Sequence, residues 1–330
     1  MSTGADRSSK VVESPQVVTV GSALLDRIYP VTNLPEPDGG AFARDERLAV
    51  GGVAANVAAG LTRLGRATGV VSRVGRDESG DRVLEDLADR GIAASHVQRG
   101  DEPSSYTMIL RDDSGERMIV AGGDSVPNLR LSAADLDYCR DADVVFTSAY
   151  APDAAVSTLV EAAAGTPEAD ATTKGDDFPP LVFDLAGPLP ELEGRGTGEE
   201  TIDALLPVVD CFVSSEVPIE SYLGCTGREA AVELRERGVS RAALTRGEDG
   251  ALLLDETGSV HEVPAFDIDV VDTTGAGDAF SAGLVDAWVL RELTAPEAGR
   301  FAAAVASENC TGAGARGGLP SRRTVESRLG

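Results

Sequence analysis

Asp272-Thr273-Thr274-Gly275-Ala276-Gly277-Asp278-Ala279-Phe280 reads as a turn that feeds a helix. Val270-Val271 ahead of it is strand-like, and Phe280, Leu284 and Trp288 behind it recur at helical spacing. Gly275, Ala276 and Gly277 carry almost no side chain, so the backbone can approach a ligand closely. Their N–H groups and the helix dipole together form a natural anion site, for which phosphate is the obvious guest. Asp278 belongs to the same helix start, where a carboxylate beside a bound phosphoryl group can orient and deprotonate an attacking hydroxyl. An isolated Asp after Gly serves as well as an N-cap; the whole nonamer in its context favours the chemical role.

A second glycine-led helix start lies at Gly51-Gly52-Val53-Ala54-Ala55-Asn56-Val57-Ala58. Val57, Leu61 and Leu64 predict a helix from Asn56 that Gly65 terminates. Gly52 lets a ligand reach the main chain, and Asn56 offers both a donor and an acceptor to neighbouring hydroxyls, although by itself it also reads as a cap.

Between and beyond these two stretches, strand and helix patterns alternate. Val17–Val20, Val144–Phe146, Leu181–Phe183, Cys211–Val213 and Ala242–Leu244 read as buried strands separated by helix-length sequence. That order predicts an α/β fold with a mainly parallel sheet covered by helices on both faces. Tyr106–Leu110 and Arg117–Val120 flank a polar turn at Asp113-Ser114-Gly115 and predict a hairpin. Residues 1–16 read as a frayed polar tail, and 165–180, rich in Ala, Thr, Asp, Gly and Pro, as a solvated insertion.

The chain has 330 residues, 55 acidic against 29 basic side chains, and a formal net charge of -26, which excludes binding to a nucleic-acid backbone. No stretch reaches the ~20 apolar residues of a membrane span, and the first ten residues lack the apolar core of a signal peptide; the expected location is cytoplasmic. Cys139, Cys211, Cys225 and Cys310 are scattered, with only His96 and His261 as histidines, so neither zinc nor a disulfide framework is expected. Lys10 and Lys174 are the only lysines. With the acidic excess, this composition predicts a protein suited to molar salt and destabilised in dilute buffer. Gly312-Ala313-Gly314-Ala315-Arg316-Gly317 fits G-x-G-x-x-G but follows a helical run rather than a strand, so no dinucleotide site is expected there.

The 272–280 stretch resembles the C-terminal signature of PfkB-family carbohydrate kinases, and the 51–58 stretch resembles that family's N-terminal signature, in the correct order. Gly21-Ser22-Ala23-Leu24-Leu25-Asp26, Val74-Gly75-Arg76-Asp77 with Gly80, and Thr245-Arg246-Gly247-Glu248-Asp249-Gly250 are similar to further family segments, so the resemblance spans about 17–320. It implies a ribokinase-like kinase domain over 17–330, with a small β lid from segments near 27–50 and 103–122. It further implies ATP with Mg²⁺, Asp278 as the base, and Gly275, Ala276 and Gly277 as the anion hole. Asp26, Gly51, Gly52 and Asn56 are implied to bind the sugar, and Ser215, Thr245 and Gly247 the nucleotide. Asp272 is implied to help hold a monovalent cation such as K⁺.

The family's Asn-x-x-Glu near the magnesium stands here as Ser215-Glu216-Val217-Pro218, leaving Glu216 as the candidate Mg²⁺ carboxylate. Leu24 replaces a substrate-binding asparagine of ribokinases. The resemblance favours a ribosyl acceptor, whether nucleoside, ribose or ribose 1-phosphate; a ketohexose or 2-keto-3-deoxygluconate kinase and a ligand-binding regulator without turnover stay open beside it. Small-molecule sugar or nucleoside partners are expected, together with pairing of two lids through Leu48, Val50, Met108 and Ile109.

Overall fold

A computed structural model describes residues 14–165 and 178–330; most of the expected tail and insertion lies outside the described residues. Thirteen strands follow in chain order: β1 Val17–Val20, β2 Leu24–Pro30, β3 Arg47–Gly51, β4 Thr68–Gly75, β5 Ala93–Gly100, β6 Tyr106–Arg111 and β7 Arg117–Gly122. Then come β8 Val144–Ser148, β9 Leu181–Asp184, β10 Cys211–Ser215, β11 Ala242–Thr245, β12 Ala251–Leu254 and β13 Val260–Val263. The large sheet runs β13-β12-β11-β10-β9-β8-β1-β4-β5, parallel from β11 to β5 and antiparallel at β12 and β13. The small sheet runs β3-β2-β6-β7, its β6–β7 pair being the expected hairpin.

Successive strand residues serve two cores, which is why the strands are apolar throughout. Val17, Val144 and Val182 face one side with the helices Val53–Arg63, Glu78–Asp89, Ala276–Leu284 and Ala295–Asn309. Val18, Val145 and Phe183 face the other with Asp153–Ala164, Glu199–Leu205 and Gly227–Glu236. The chain steps from β1 to β4 and β5 on one side, then returns at β8 and steps away through β9, β10 and β11. The strand order therefore reverses between β1 and β8, and a crevice opens beyond the carboxyl ends of those strands.

Two local readings differ from the structure. Val270-Val271 is not a strand: Pro264 follows the edge strand β13, and residues 264–270 form a connector without regular secondary structure. Val271 and Asp272 bond through their amides to the Cys310 carbonyl. The helix expected from Asn56 begins at Val53, because Ser22 of the β1–β2 loop caps it from outside: its hydroxyl accepts from the Val53 amide at 3.0 Å and its carbonyl from the Ala55 amide at 3.2 Å. Periodicity within the segment cannot register a cap supplied thirty residues away.

Candidate active site

The two glycine-led helices meet at the crevice. Gly52 caps the first at φ 94°, where a Cβ would run into the Ser22 carbonyl, so only glycine fits. Gly275 caps the second at φ 75°, and a Cβ there would run into the Ala315 backbone. About two turns inside each helix, Gly60 faces Ala282 so closely that a Cβ on Gly60 would stand 2.7 Å from the alanine's. Asn56 is one turn before Gly60, and Asp278 one turn before Ala282. The close crossing thus brings these two side chains together, and Asn56 Nδ2 donates to Asp278 Oδ2 at 2.7 Å.

Asp278 is half-buried in the first turn of its helix, as the sequence predicts. Burial pushes its carboxyl up to about 7; the Asn56 hydrogen bond and Arg316 oppose this, and Asp184 and Asp26 add to it. Asp184, the last residue of β9, is buried and pushed up to about 6, while accepting from the Ala186 amide and from Ser281 Oγ. Asp26 is buried on β2, with Gly51 backed against its carboxylate and Thr107 Oγ1 donating to it; burial raises its pKa as well. Asp26, Gly51, Gly52, Asn56 and Asp278 are therefore brought together as one cluster.

Of the three anion-hole residues, Ala276 donates its amide to the Thr273 carbonyl at 3.1 Å, so this donor is already engaged. Apart from Gly277's chain neighbours and its own helix backbone, no heavy atom of the described residues lies within 4 Å of where a Gly277 Cβ would be, which leaves room for a ligand above it. Asp272, the residue expected to help hold a monovalent cation, is tied into the turn. Its Oδ1 accepts from the Thr274 amide, and its Oδ2 accepts from the Gly314 amide at 3.0 Å and from Arg111 Nη1 at 2.6 Å. Burial works to raise this carboxyl, but those donors hold it below its usual range. Oδ2 thus accepts two hydrogen bonds and Oδ1 one.

Ser215 and Thr245 are paired in register at the ends of the neighbouring strands β10 and β11. Gly247 follows in a single 3₁₀ turn at φ 57°. They share the sheet edge that carries Asp184, on the far side of it from β1. Glu216 is exposed in the first turn of the helix Glu216–Leu223, and Pro218 is buried within it. No three His, Cys, Asp or Glu side chains gather as a metal site among the described residues.

The small sheet stands over the turn. Arg111 at the end of β6 reaches Asp272, and Arg117 Nη1 of β7 donates to Thr274 Oγ1 at 2.8 Å. Between sheet and body lies a cleft of about 530 Å³, lined by Asp26, Ile109, Arg111, Thr274 and Arg316 among others. Ile109 lines this cleft while its neighbour Met108 faces the other way, so the four residues expected to pair two lids do not share one surface. The exposed apolar run of this sheet is Met118, Ile119 and Val120 on its edge strand β7.

Sequence reasoning missed Asp184 and Arg316. A carboxylate ending a buried parallel strand was a usable signal for the first. For Arg316 the signal was one charged residue inside an otherwise small-residue run, Gly312–Gly318, which had been set aside as a false dinucleotide motif.

Residues 14–322 match the model of the pfkB family carbohydrate kinases. An ATP-dependent ribose-1-phosphate kinase of Halopiger xanaduensis is 31% identical over 280 residues, which cover 83% of this chain and 85% of that protein. A 2-dehydro-3-deoxygalactonokinase of Haloferax volcanii is 27% identical, covering 80% of this chain and 81% of that one. Among solved structures, the ribokinase of Arabidopsis thaliana complexed with ribose and ATP superposes with a TM-score of 0.81 at 25% identity, covering 96% of this chain and 99% of that one.

Proposed function

The chain belongs to the pfkB family of carbohydrate kinases, ATP-dependent phosphotransferases with a sugar hydroxyl as acceptor, and we propose that its acceptor is a ribosyl compound phosphorylated on its primary hydroxyl. The observation that carries this reading is the Asp26–Asn56–Asp278 cluster at the mouth of a helix N-terminus, with a base whose pKa of about 7 suits proton removal at neutral pH. The similarity to a ribose-1-phosphate kinase and to a ribokinase complexed with ribose supports the ribosyl class.

Asp26 accepts hydrogen bonds from the sugar's secondary hydroxyls, as Asn56, Gly51 and Gly52 shape the pocket around it. Asp278 takes the proton of the primary hydroxyl, whose oxygen forms a bond to the γ-phosphorus as the bond to ADP breaks. The Gly275 and Gly277 amides and the helix dipole stabilise the charge on the transferring group. Thr245, Gly247 and Ser215 line the strand ends where the nucleotide lies. Glu216 would hold Mg²⁺, an ion that typically arrives on phosphates with few protein ligands and that would neutralise charge on the ATP phosphates. The small sheet acts as a lid that excludes water. Its exposed β7 edge is the surface through which two copies would pair.

ADP release tests the reading, measured with MgATP in molar KCl across ribose, ribose 1-phosphate, nucleosides, fructose and 2-keto-3-deoxygluconate. Turnover with a ribosyl acceptor is expected. Turnover confined to the ketose or the keto-deoxy acid would transfer the assignment to the class that the Haloferax relative represents, and ligand binding without turnover would make the chain a regulator.

A further inference from the structure

Four side chains from four separate elements form one hydrogen-bonded line into the site. Asp86, on the helix Glu78–Asp89, accepts from Arg316 Nη1 at 2.6 Å. Arg316 Nε donates to Asn56 Oδ1 at 2.6 Å, and Asn56 Nδ2 donates to Asp278 Oδ2 at 2.7 Å. Arg90 braces Asp86 from its other side at 3.0 Å. The Arg316 side chain is 5% exposed, and its Nη2 is buried with no hydrogen-bond partner in the protein.

The chemistry of the amide gives this line its meaning. An asparagine amide has one acceptor end and one donor end, and it can present either to a neighbour. With no guanidinium behind it, the Asn56 side chain could turn its oxygen toward Asp278, and two acceptors would then face each other. A guanidinium has only donors. Placed behind Asn56, Arg316 claims the oxygen end and leaves only the N–H end for the carboxylate. An unmade hydrogen bond to a buried charged donor is costly. Nη2 finds no acceptor among the described residues, and Arg316 lines the cleft.

Resting on the kinase reading above, we propose that Arg316, braced by Asp86, is the positioning residue for the base: it locks the Asn56 amide so that its N–H faces Asp278, and it presents Nη2 to an oxygen of the sugar. The groups facing Asp278 come from five directions. Asp184 at the end of β9 and Asp26 on β2 are negative, Tyr150 after β8 is neutral, Asn56 donates from its helix, and Arg316 alone is positive. Removing Arg316 takes away the one positive charge and releases the amide. Both changes favour the protonated base, which is the inactive form.

The test compares kcat and KM against pH for the native enzyme, Arg316→Met, Asp86→Ala and Asp278→Asn, with MgATP and ribose or ribose 1-phosphate as acceptors. In Arg316→Met the acid limb of kcat should move up by about one pH unit or more, a tenfold or greater loss near neutrality that is largely recovered at alkaline pH. KM for the sugar should rise about tenfold while KM for ATP stays within about twofold. Asp86→Ala, at a partly exposed position, should shift the limb in the same direction by less, which covers the case of an Arg316 variant that folds poorly. An unmoved limb, or an equal loss at every pH, would overturn the positioning role; an unchanged sugar KM would overturn the sugar contact. Turnover surviving in Asp278→Asn would overturn the base assignment and this inference with it, whereas a native limb in Arg316→Met beside an inert Asp278→Asn would overturn this inference alone.

Discussion

Asp278, the proposed base, stands among two carboxylates and one guanidinium, and the pH dependence expected of the enzyme follows from their signs. The base must be ionised to accept a proton, so kcat should fall as pH drops through about 7. Asp184 is negative and raises the Asp278 pKa. Asp184→Asn should therefore move the acid limb to lower pH, opposite in sign to the change expected at Arg316; a pH–rate profile of that variant checks it, and a limb that stays or rises would refute the electrostatic account. At this scale the sequence was informative where backbone conformation dictates residue type. Gly52 and Gly275 hold positive φ against nearby carbonyls, which leaves glycine as a visible mark. It was silent on Arg316, because nothing local says that a loop arginine closes over a helix some 260 positions away in the chain.

The geometry of the proposed active site depends on how closely two helices approach. Gly60 and Ala282 touch one turn behind Asn56 and Asp278, so the spacing of the reactive pair is set by residues that meet no substrate. Gly60→Val should wedge the helices apart, costing about 1–3 kcal/mol of stability by overpacking and lowering kcat at least tenfold. Thermal melts and steady-state rates measure the two effects, and native kcat in a folded variant would argue against this geometry. The small sheet is tied to the catalytic turn through Arg111–Asp272 and Arg117–Thr274. Arg111→Met should loosen that tie, raising KM for the sugar severalfold and increasing ATP hydrolysis in the absence of sugar. Assays with and without acceptor would detect both, and an unaltered leak would mean the tie does not control closure. The parallel strands and the β6–β7 hairpin were legible from apolar runs and turn residues. Val270-Val271 was not, since two valines read alike in a strand and in a connector bonded to the Cys310 carbonyl. The start of the first site helix was misjudged because its cap comes from Ser22, outside the periodic segment.

Over the whole molecule, both lysines fall outside the described residues, so all lysine/arginine-type cations there are arginines. Many form carboxylate pairs, and the most enclosed of these is Asp286, fully buried, with Arg66 at 2.7 Å, Arg322 at 2.5 Å and Arg291 at 3.7 Å. That knot ties the C-terminal helix Arg322–Leu329 to the turn after the helix Val53–Arg63 and is shielded from salt. The rest of the surface bears most of the -26 charge and repels itself in dilute buffer. Raising KCl from ~0.1 to ~2 M should lift the melting temperature by on the order of 10 °C, as screening shrinks to a few ångströms. Calorimetry across that range decides it, and a flat or falling melting temperature would count against the salt reading. The α/β class was legible from the alternation of strands and helices, whereas the position of the crevice required the strand order, which places β8 beside β1.

The proposed role of Asp278 is to remove the proton of a sugar's primary hydroxyl for attack on ATP. Its most direct test is phosphorus NMR of the products formed from ribose and from ribose 1-phosphate with MgATP in molar KCl, with native enzyme and Asp278→Asn side by side. The account predicts a new phosphate ester on the primary carbon with the native enzyme, and a rate lower by about two to four orders of magnitude in the variant. A phosphate on any other carbon, or product formed at the native rate by Asp278→Asn, would contradict it.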